Sequence, residues 1–334
     1  MSVTAYAAKT AKATLERFDY ETGPLDADDV EIQVTHCGIC YSDIAMIDNS
    51  WGFSQYPLVP GHEVVGVITA VGASASNARQ VGQRVGVGWN AGSCGVCEWC
   101  LRGKENLCPG ARPTIVGHYG GWANSVRCHA KFAMPIPDAL SSADAGPLMC
   151  AGVTVFTPMV EFGVRPWMHT AVVGIGGLGH LAVQFLARFG CEVTAISSSH
   201  DKDKDARELG ADHVITTTGT DELTRAAGSF DFIISTPWAS LPWGDYVAAL
   251  RPQGRLVVVG ALEAELHFPV SPLMAERSVS GGAVGSPSDT TRMLEFAART
   301  GVAPKVELFS MAEVNRAVEH VRSGKVRYRA VLVA

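Results

Sequence analysis

The chain has 334 residues, 47% of them hydrophobic, 35 glycines and a formal net charge of −6, a length that predicts about two domains with separate cores. The acidic balance argues against a nucleic-acid surface and a basic membrane patch, and no apolar run reads as long enough to cross a bilayer. Lys9, Lys12, Glu16 and Arg17 interrupt any signal-peptide core, and nine cysteines fit thiolate ligands in a reducing cytosol better than disulfides.

Val30, Ile32 and Val34 alternate with Glu31, Gln33 and Thr35, which predicts a half-buried strand. It runs into Cys37-Gly-Ile-Cys40-Tyr41-Ser42-Asp43, a turn leading to a short helix. After a loop bearing Trp51, Phe53 and Tyr56, Gly61-His62-Glu63 opens a β-rich run over 64–71, with a second over 81–89. Cys94, Cys97, Cys100 and Cys108 then stand as C-x-x-C-x-x-C-x7-C. Four thiolates so closely spaced can surround one tetrahedral zinc without help from a helix or strand, as a closed structural site. Short strands are expected over 122–136, so the first 150 residues read as a mostly β domain. Past Cys150 the texture changes. Ala171-Val172-Val173 predicts a buried strand, followed by Gly174-x-Gly176-Gly177-x-Gly179 and a helix with Leu181, Ala182, Phe185 and Leu186 on one face. Strands recur over 192–196, 213–216, 231–235, 255–260 and 278–284, a rhythm that predicts a doubly wound parallel sheet. A helix ending near Gly301, a capping box at Ser310 and Glu313 and a strand over 328–333 complete the chain.

A G-x-G-x-x-G between a strand and a helix suits a dinucleotide, because the glycines let the backbone approach a pyrophosphate at the helix N-terminus. The next strand ends not in a carboxylate but in Ser197-Ser198-Ser199-His200, with Lys202 and Lys204 beyond. Hydroxyls and a cation fit a 2′-phosphate, hence NADP over NAD, although Asp201, Asp203 and Asp205 pull the other way. Cys40, His62 and Cys150 form no compact motif by spacing; two buried cysteines and a satisfied histidine would read alike. Their separation still allows a catalytic zinc with three protein ligands and an open position. Ser42 is placed to relay a proton or to cap a helix, and Asp43 and Glu63 to orient ligands. Cys37, Cys128 and Cys191 are left for core packing.

Taken together, these stretches resemble the zinc-dependent medium-chain alcohol dehydrogenases over essentially the whole length. Within them the chain is similar to the cinnamyl alcohol dehydrogenase group, and in particular to bacterial NADPH-dependent, broad-specificity aldehyde reductases. The resemblance is carried by Trp51-Gly-Phe-Ser-Gln-Tyr-Pro-Leu-Val before Gly-His-Glu, Cys37-Gly-Ile-Cys40, Gly146-Pro-Leu, Gly152-Val-Thr154-Val-Phe, Gly174-Ile-Gly-Gly-Leu-Gly179 and Val326-Arg-Tyr-Arg329. It implies an α/β fold: a GroES-like, mostly β catalytic domain over 1–151 and 285–334, with a Rossmann cofactor domain over 152–284 inserted. It further implies two zinc ions per subunit, one on Cys40, His62 and Cys150, with Glu63 beside it or as an alternate ligand, and one on Cys94, Cys97, Cys100 and Cys108. For NADP(H) it implies contacts from Thr154, Gly174, Gly176, Gly177, Leu178, Gly179, Ser197, Ser198, Ser199 and Lys202, from Arg329 near the pyrophosphate, and from backbone at Val259, Ala283 and Gly285. Relatives carry His or Arg where Tyr41 stands, and several end a proton relay with a histidine where Ala45 stands.

The expected activity is reversible hydride transfer between NADPH and an aldehyde or primary alcohol, with Ser42 handling the proton and Trp51 and Trp89 as an apolar substrate wall. Met149 and Trp238 are weaker candidates for that wall. A cinnamyl-type aryl alcohol dehydrogenase is the alternative; a catalytically silent nucleotide-binding or zinc-sensing protein is the non-enzyme one. A small-molecule substrate, no nucleic acid or membrane partner, a homo-oligomer (dimer or tetramer) and a cytoplasmic location are expected.

Overall fold

Strand Asp29–Ile39 buries Val30, Ile32, Val34, Cys37 and Ile39, with Asp29, Glu31 and Gln33 alternating with the first three, and takes an interior place in its sheet. It pairs antiparallel with Val64–Val71 on one edge, and with Ser125–His129 and Arg329–Val333 on the other. Val306–Ser310 adds beyond Arg329–Val333, and Arg84–Val87 and Met134–Pro135 beyond Val64–Val71. In the computed structural model, which describes residues 2–260, 265–282 and 284–334, this sheet belongs to a unit made of Met1–Val153 and Val284–Ala334. Its core is built from Val30, Ile32, Val64, Ile68, Val85, Trp122 and Leu332. The run expected over 81–89 is interrupted, with strands only at Arg84–Val87 and Asn90–Gly92. A hairpin that the sequence reading missed, Ser2–Ala7 with Glu16–Glu21, packs Val3, Ala5 and Ala7 against Val59 and Ala123.

The second unit is Thr154–Ala283. Its six strands are all parallel, in the order His213–Thr216, Glu192–Ser197, His169–Val173, Phe230–Ser235, Leu250–Val258, Ser278–Gly281. The chain thus starts in the middle, runs to one edge, returns and builds the other; the point of reversal is where such sheets bind ligands. Helix Gly179–Phe189 buries Leu181, Ala182, Phe185 and Leu186 and stops at Gly190, whose φ of 89° is left-handed.

The helix running from Ser142 to Glu161 differs most from the sequence reading. At 20 residues and a mean hydropathy of 1.2 it is long and apolar enough to cross a membrane by length and composition, but 83% of its most apolar window is buried inside the protein. It is a core helix, kept helical by burial despite Gly146, Pro147, Gly152 and Pro158. The turn Leu148–Gly152 is widened to π geometry, a local rewinding that recurs at functional sites.

Candidate functional site

Cys40 immediately precedes helix Tyr41–Asp48, His62 and Glu63 immediately precede strand Val64–Val71, and Cys150 lies in the widened turn. The fold brings one ligand atom from each of these four buried residues within 4.8 Å of the others. His62 Nε2 is 3.3 Å from Cys150 Sγ. A tetrahedral zinc with ordinary bond lengths would separate such atoms by about 3.6 Å, so the donor set fits zinc in both spacing and chemistry.

Asp43 sets the orientation. It is fully buried; its Oδ1 accepts from His62 Nδ1 at 2.8 Å and from the Gly61 N–H at 2.9 Å, and its Oδ2 accepts from the Cys40 N–H at 2.9 Å. With the proton on Nδ1, Nε2 is left as the metal-facing lone pair. Burial works against a charged His62, but the Asp43 carboxylate outweighs it and holds the imidazole well above its ordinary pKa. A hydrogen bond from Cys150 holds the Cys40 thiol well below the usual range, and the same bond pushes Cys150 well above it. Glu63 is fully buried and ion-paired with Arg329, itself 5% exposed. Burial raises the Glu63 carboxyl to about 7, the Arg329 charge pulling the other way. A Cβ at Gly38 would collide with the Glu63 carboxylate, which explains the glycine there.

The four lobe cysteines also converge, all four sulfurs within 4.8 Å of one another. Cys94 Sγ lies 3.5 Å from Cys108 Sγ and 4.0 Å from Cys100 Sγ, against about 3.8 Å for the edge of a zinc–thiolate tetrahedron. The backbone N–H groups of Val96 and Cys97 bring the Cys94 thiol down to about 6. Buried Glu105 pairs with Lys131, tying the lobe to the β domain.

In the second unit Gly174 adopts φ 81°, and a Cβ on Gly179 would strike the Gly174 carbonyl oxygen, whereas Gly176 faces open space. Those are the requirements of a backbone cradle for a pyrophosphate, so these residues fit a dinucleotide. Thr236 Oγ1 donates to the carbonyls of Val173 and Gly174 and fixes the turn. Ser197 ends the strand Glu192–Ser197 and Ser198 and Ser199 follow it, and Lys202 Nζ reaches back to the Ile175 carbonyl at 2.9 Å. Gly177 and Leu178 complete the loop before the helix. Thr154 is buried, and the Val259 N–H is taken by the Ser235 carbonyl at 3.0 Å. Ala283 lies outside the described residues.

Within the first unit, Trp89 stands edge-on to His62 with ring centroids 5.0 Å apart, and Trp51 edge-on to Trp89 at 6.0 Å. Phe53 stacks on Trp51 at 5.7 Å. Trp89, Met149 and Gly285 line one cavity with Phe132 and Met134. Ser42 is half-buried in the helix after Cys40, and Tyr41 is exposed. Three contacts were not foreseen: the triple acceptance by Asp43, the pairing of Arg329 with Glu63, and the Lys131–Glu105 tie. Only the first leaves a sequence signal, an acid three residues past a helix-initiating position.

The chain matches the "Alcohol dehydrogenase GroES-like domain" family over residues 26–138 and the "Zinc-binding dehydrogenase" family over residues 177–299. It is 48% identical over 331 residues to the aldehyde reductase AdhA of Synechocystis sp., covering 99% of this chain and 98% of that one. Cinnamyl alcohol dehydrogenase 2 of Rauvolfia serpentina is 41% identical over 337 residues, covering 98% and 93%. The structure of the Sorghum bicolor cinnamyl alcohol dehydrogenase SbCAD4 superposes with a TM-score of 0.95 at 38% identity, covering 100% and 98%. That of a Helicobacter pylori CAD complexed with NADP(H) gives 0.90 at 26% identity, covering 100% and 98%. With the two donor clusters, the GroES-like sheet and the parallel nucleotide-binding fold all in place, this chain belongs to the zinc-binding dehydrogenase family and is an oxidoreductase of the alcohol dehydrogenase type.

Proposed function

We propose that the protein reduces aldehydes to primary alcohols, reversibly, with hydride from NADPH. The observation that carries this reading is the convergence of Cys40, His62 and Cys150 on one buried point, with His62 oriented by Asp43. When bound there, zinc supplies the Lewis acidity that makes a carbonyl accept hydride or an alcohol release its proton. Cys40 and Cys150 contribute thiolate charge, and His62 contributes Nε2. Glu63, neutralised by Arg329, stands by as a further oxygen donor. Ser42 holds the proton exchanged with the substrate oxygen. Gly174, Gly176, Gly177 and Gly179 cradle the pyrophosphate with Leu178 between them, and Ser197, Ser198, Ser199 and Lys202 take the 2′-phosphate. The lobe cysteines hold a second zinc that anchors their loop. Thr154 and the backbone at Val259 and Gly285 position the nicotinamide, and the enzyme works as a cytoplasmic homo-oligomer.

A panel of aldehydes assayed with NADPH and NADH on enzyme carrying two zinc ions per subunit tests the proposal. Higher kcat/KM with NADPH is expected; no turnover of any carbonyl would instead favour a nucleotide-binding or zinc-sensing protein. The rings of Phe53, Trp51 and Trp89 in series up to His62 favour a second reading, an aryl or cinnamyl alcohol dehydrogenase. On that reading flat conjugated aldehydes outrun short aliphatic ones in the same panel.

Two further results are expected. Ser42→Ala lowers the rate about 10²-fold, the lower end of general acid–base contributions, and shrinks the solvent-isotope effect. An unchanged rate at every pH removes Ser42 from the proton path. Cys97→Ser loses one zinc equivalent by metal analysis and about 3 kcal/mol of stability, or roughly 6–12 °C in Tm; retention of both ions would contradict a four-thiolate site.

A further inference from the structure

The loop after strand Glu192–Ser197 contains one titratable cation to which the reading above gives no role. His200 opens the short turn His200–Lys202, and its side chain is 70% exposed. Its Nδ1 lies 2.8 Å from Asp203 Oδ2 and 3.1 Å from Thr216 Oγ1. The ring is thereby moored to helix Asp203–Glu208 and to the end of strand His213–Thr216. With Nδ1 so engaged and the side chain exposed, Nε2 is the ring nitrogen left accessible to a ligand.

The surrounding charges decide why this position matters. Lys202 donates to the Ile175 carbonyl, and Lys204 lies 3.8 Å from Glu208. Asp201 and Asp203 add negative charge within the same turn, which opposes a phosphate dianion, and Glu222 faces it from the neighbouring helix. Of the described residues 197–205, His200 alone is of a type that changes charge near neutral pH. The hydrogen bond and charge of Asp203, with Glu222 and Asp201 behind, raise the imidazole above its ordinary pKa.

We infer that His200 is a specificity-determining residue for the cofactor's 2′-phosphate, adding a cation to the Ser197–Ser199 loop that strengthens the preference for NADPH over NADH as pH falls. This rests on the NADPH reading proposed above. The sign follows from which form is charged: at lower pH the imidazolium attracts the phosphate, and at higher pH only Lys202 and the serine hydroxyls remain against two aspartates. The phosphate takes up its own second proton near pH 6, which limits the useful window to about pH 6.5–8.5. His200→Gln leaves that phosphate titration in place, so the difference between variant and parent isolates the histidine.

The experiment is a calorimetric or fluorescence titration of the full-length, zinc-replete enzyme with NADPH and with NADH across that window. The parent is expected to bind NADPH about 2–5-fold more tightly at the acidic end, the size of an exposed charge–charge contact, while NADH binding stays flat. His200→Gln should flatten the NADPH profile, His200→Lys should bind tightly throughout, and Asp203→Asn should move the midpoint to lower pH. Unchanged NADH affinity in each variant reports an intact fold. If His200→Gln keeps the parent's pH dependence together with a preference for NADPH, the inference about His200 is wrong and the cofactor reading stands. If the parent shows no preference for NADPH at any pH, both fall.

Discussion

Cys150→Ala is expected to lower kcat/KM for aldehyde reduction by about three orders of magnitude and to remove one of two zinc ions, leaving the fold intact. The Lewis acidity of a bound ion contributes several kcal/mol to the stabilisation of developing charge, and each 1.36 kcal/mol is about tenfold in rate. Cys150 is one of two thiolates in the set, and it sits in a widened helical turn where alanine keeps the backbone and a similar volume. Glu63 lies within 4.8 Å of the remaining donors, so weak residual zinc binding through its carboxylate is expected at high metal concentration. Metal analysis with single-turnover kinetics checks both halves. Wild-type turnover would show that this cluster is not where reduction occurs.

Asp43→Ala is expected to cost about 3–9 kcal/mol of unfolding free energy and about 10–100-fold in affinity for the catalytic zinc. The fully buried carboxylate accepts three hydrogen bonds, from the Cys40 and Gly61 N–H groups and from His62 Nδ1. Each buried donor left without a partner costs about 1–3 kcal/mol, and loss of an outer-shell orienting group weakens metal binding by that factor. Asp43→Asn keeps the shape but turns one acceptor into a donor facing N–H groups, so it recovers only part of the loss. Denaturant unfolding and zinc competition with a chelator measure the two effects separately. A loss below about 1 kcal/mol would mean that the three donors find other partners.

Periodicity made the parallel sheet legible, because strands such as Glu192–Ser197 and His213–Thr216 are short apolar runs punctuated by turns. The lobe was legible from spacing alone, since its four cysteines lie in one short stretch of chain. The set of Cys40, His62 and Cys150 was readable only through its resemblance to known enzymes; long-range strand pairing brings those residues together, and no local pattern encodes it. The amino-terminal hairpin escaped notice because Glu16, Arg17, Asp19 and Glu21 present a largely polar strand, and its connection carries no glycine or proline turn signal. The helix from Ser142 to Glu161 escaped for the opposite reason: its glycines, prolines and β-branched residues argue against helix, and burial overrides propensity. The pairing of Glu63 with Arg329 joins residues 266 positions apart and has no sequence signature.

The compactness of the cysteine lobe bears on how the molecule is assembled during synthesis. Its four sulfurs come from one short stretch, with Lys131 reaching Glu105 from a little further along. On the proposed assignment, a nascent chain clasps its first ion soon after Cys108 leaves the ribosome, whereas the second waits for Cys150 to emerge and the β domain to close. A synthetic peptide spanning only that stretch should accordingly turn cobalt blue by itself, whereas a fragment around His62 lacks Cys150 and should hold the ion far more weakly.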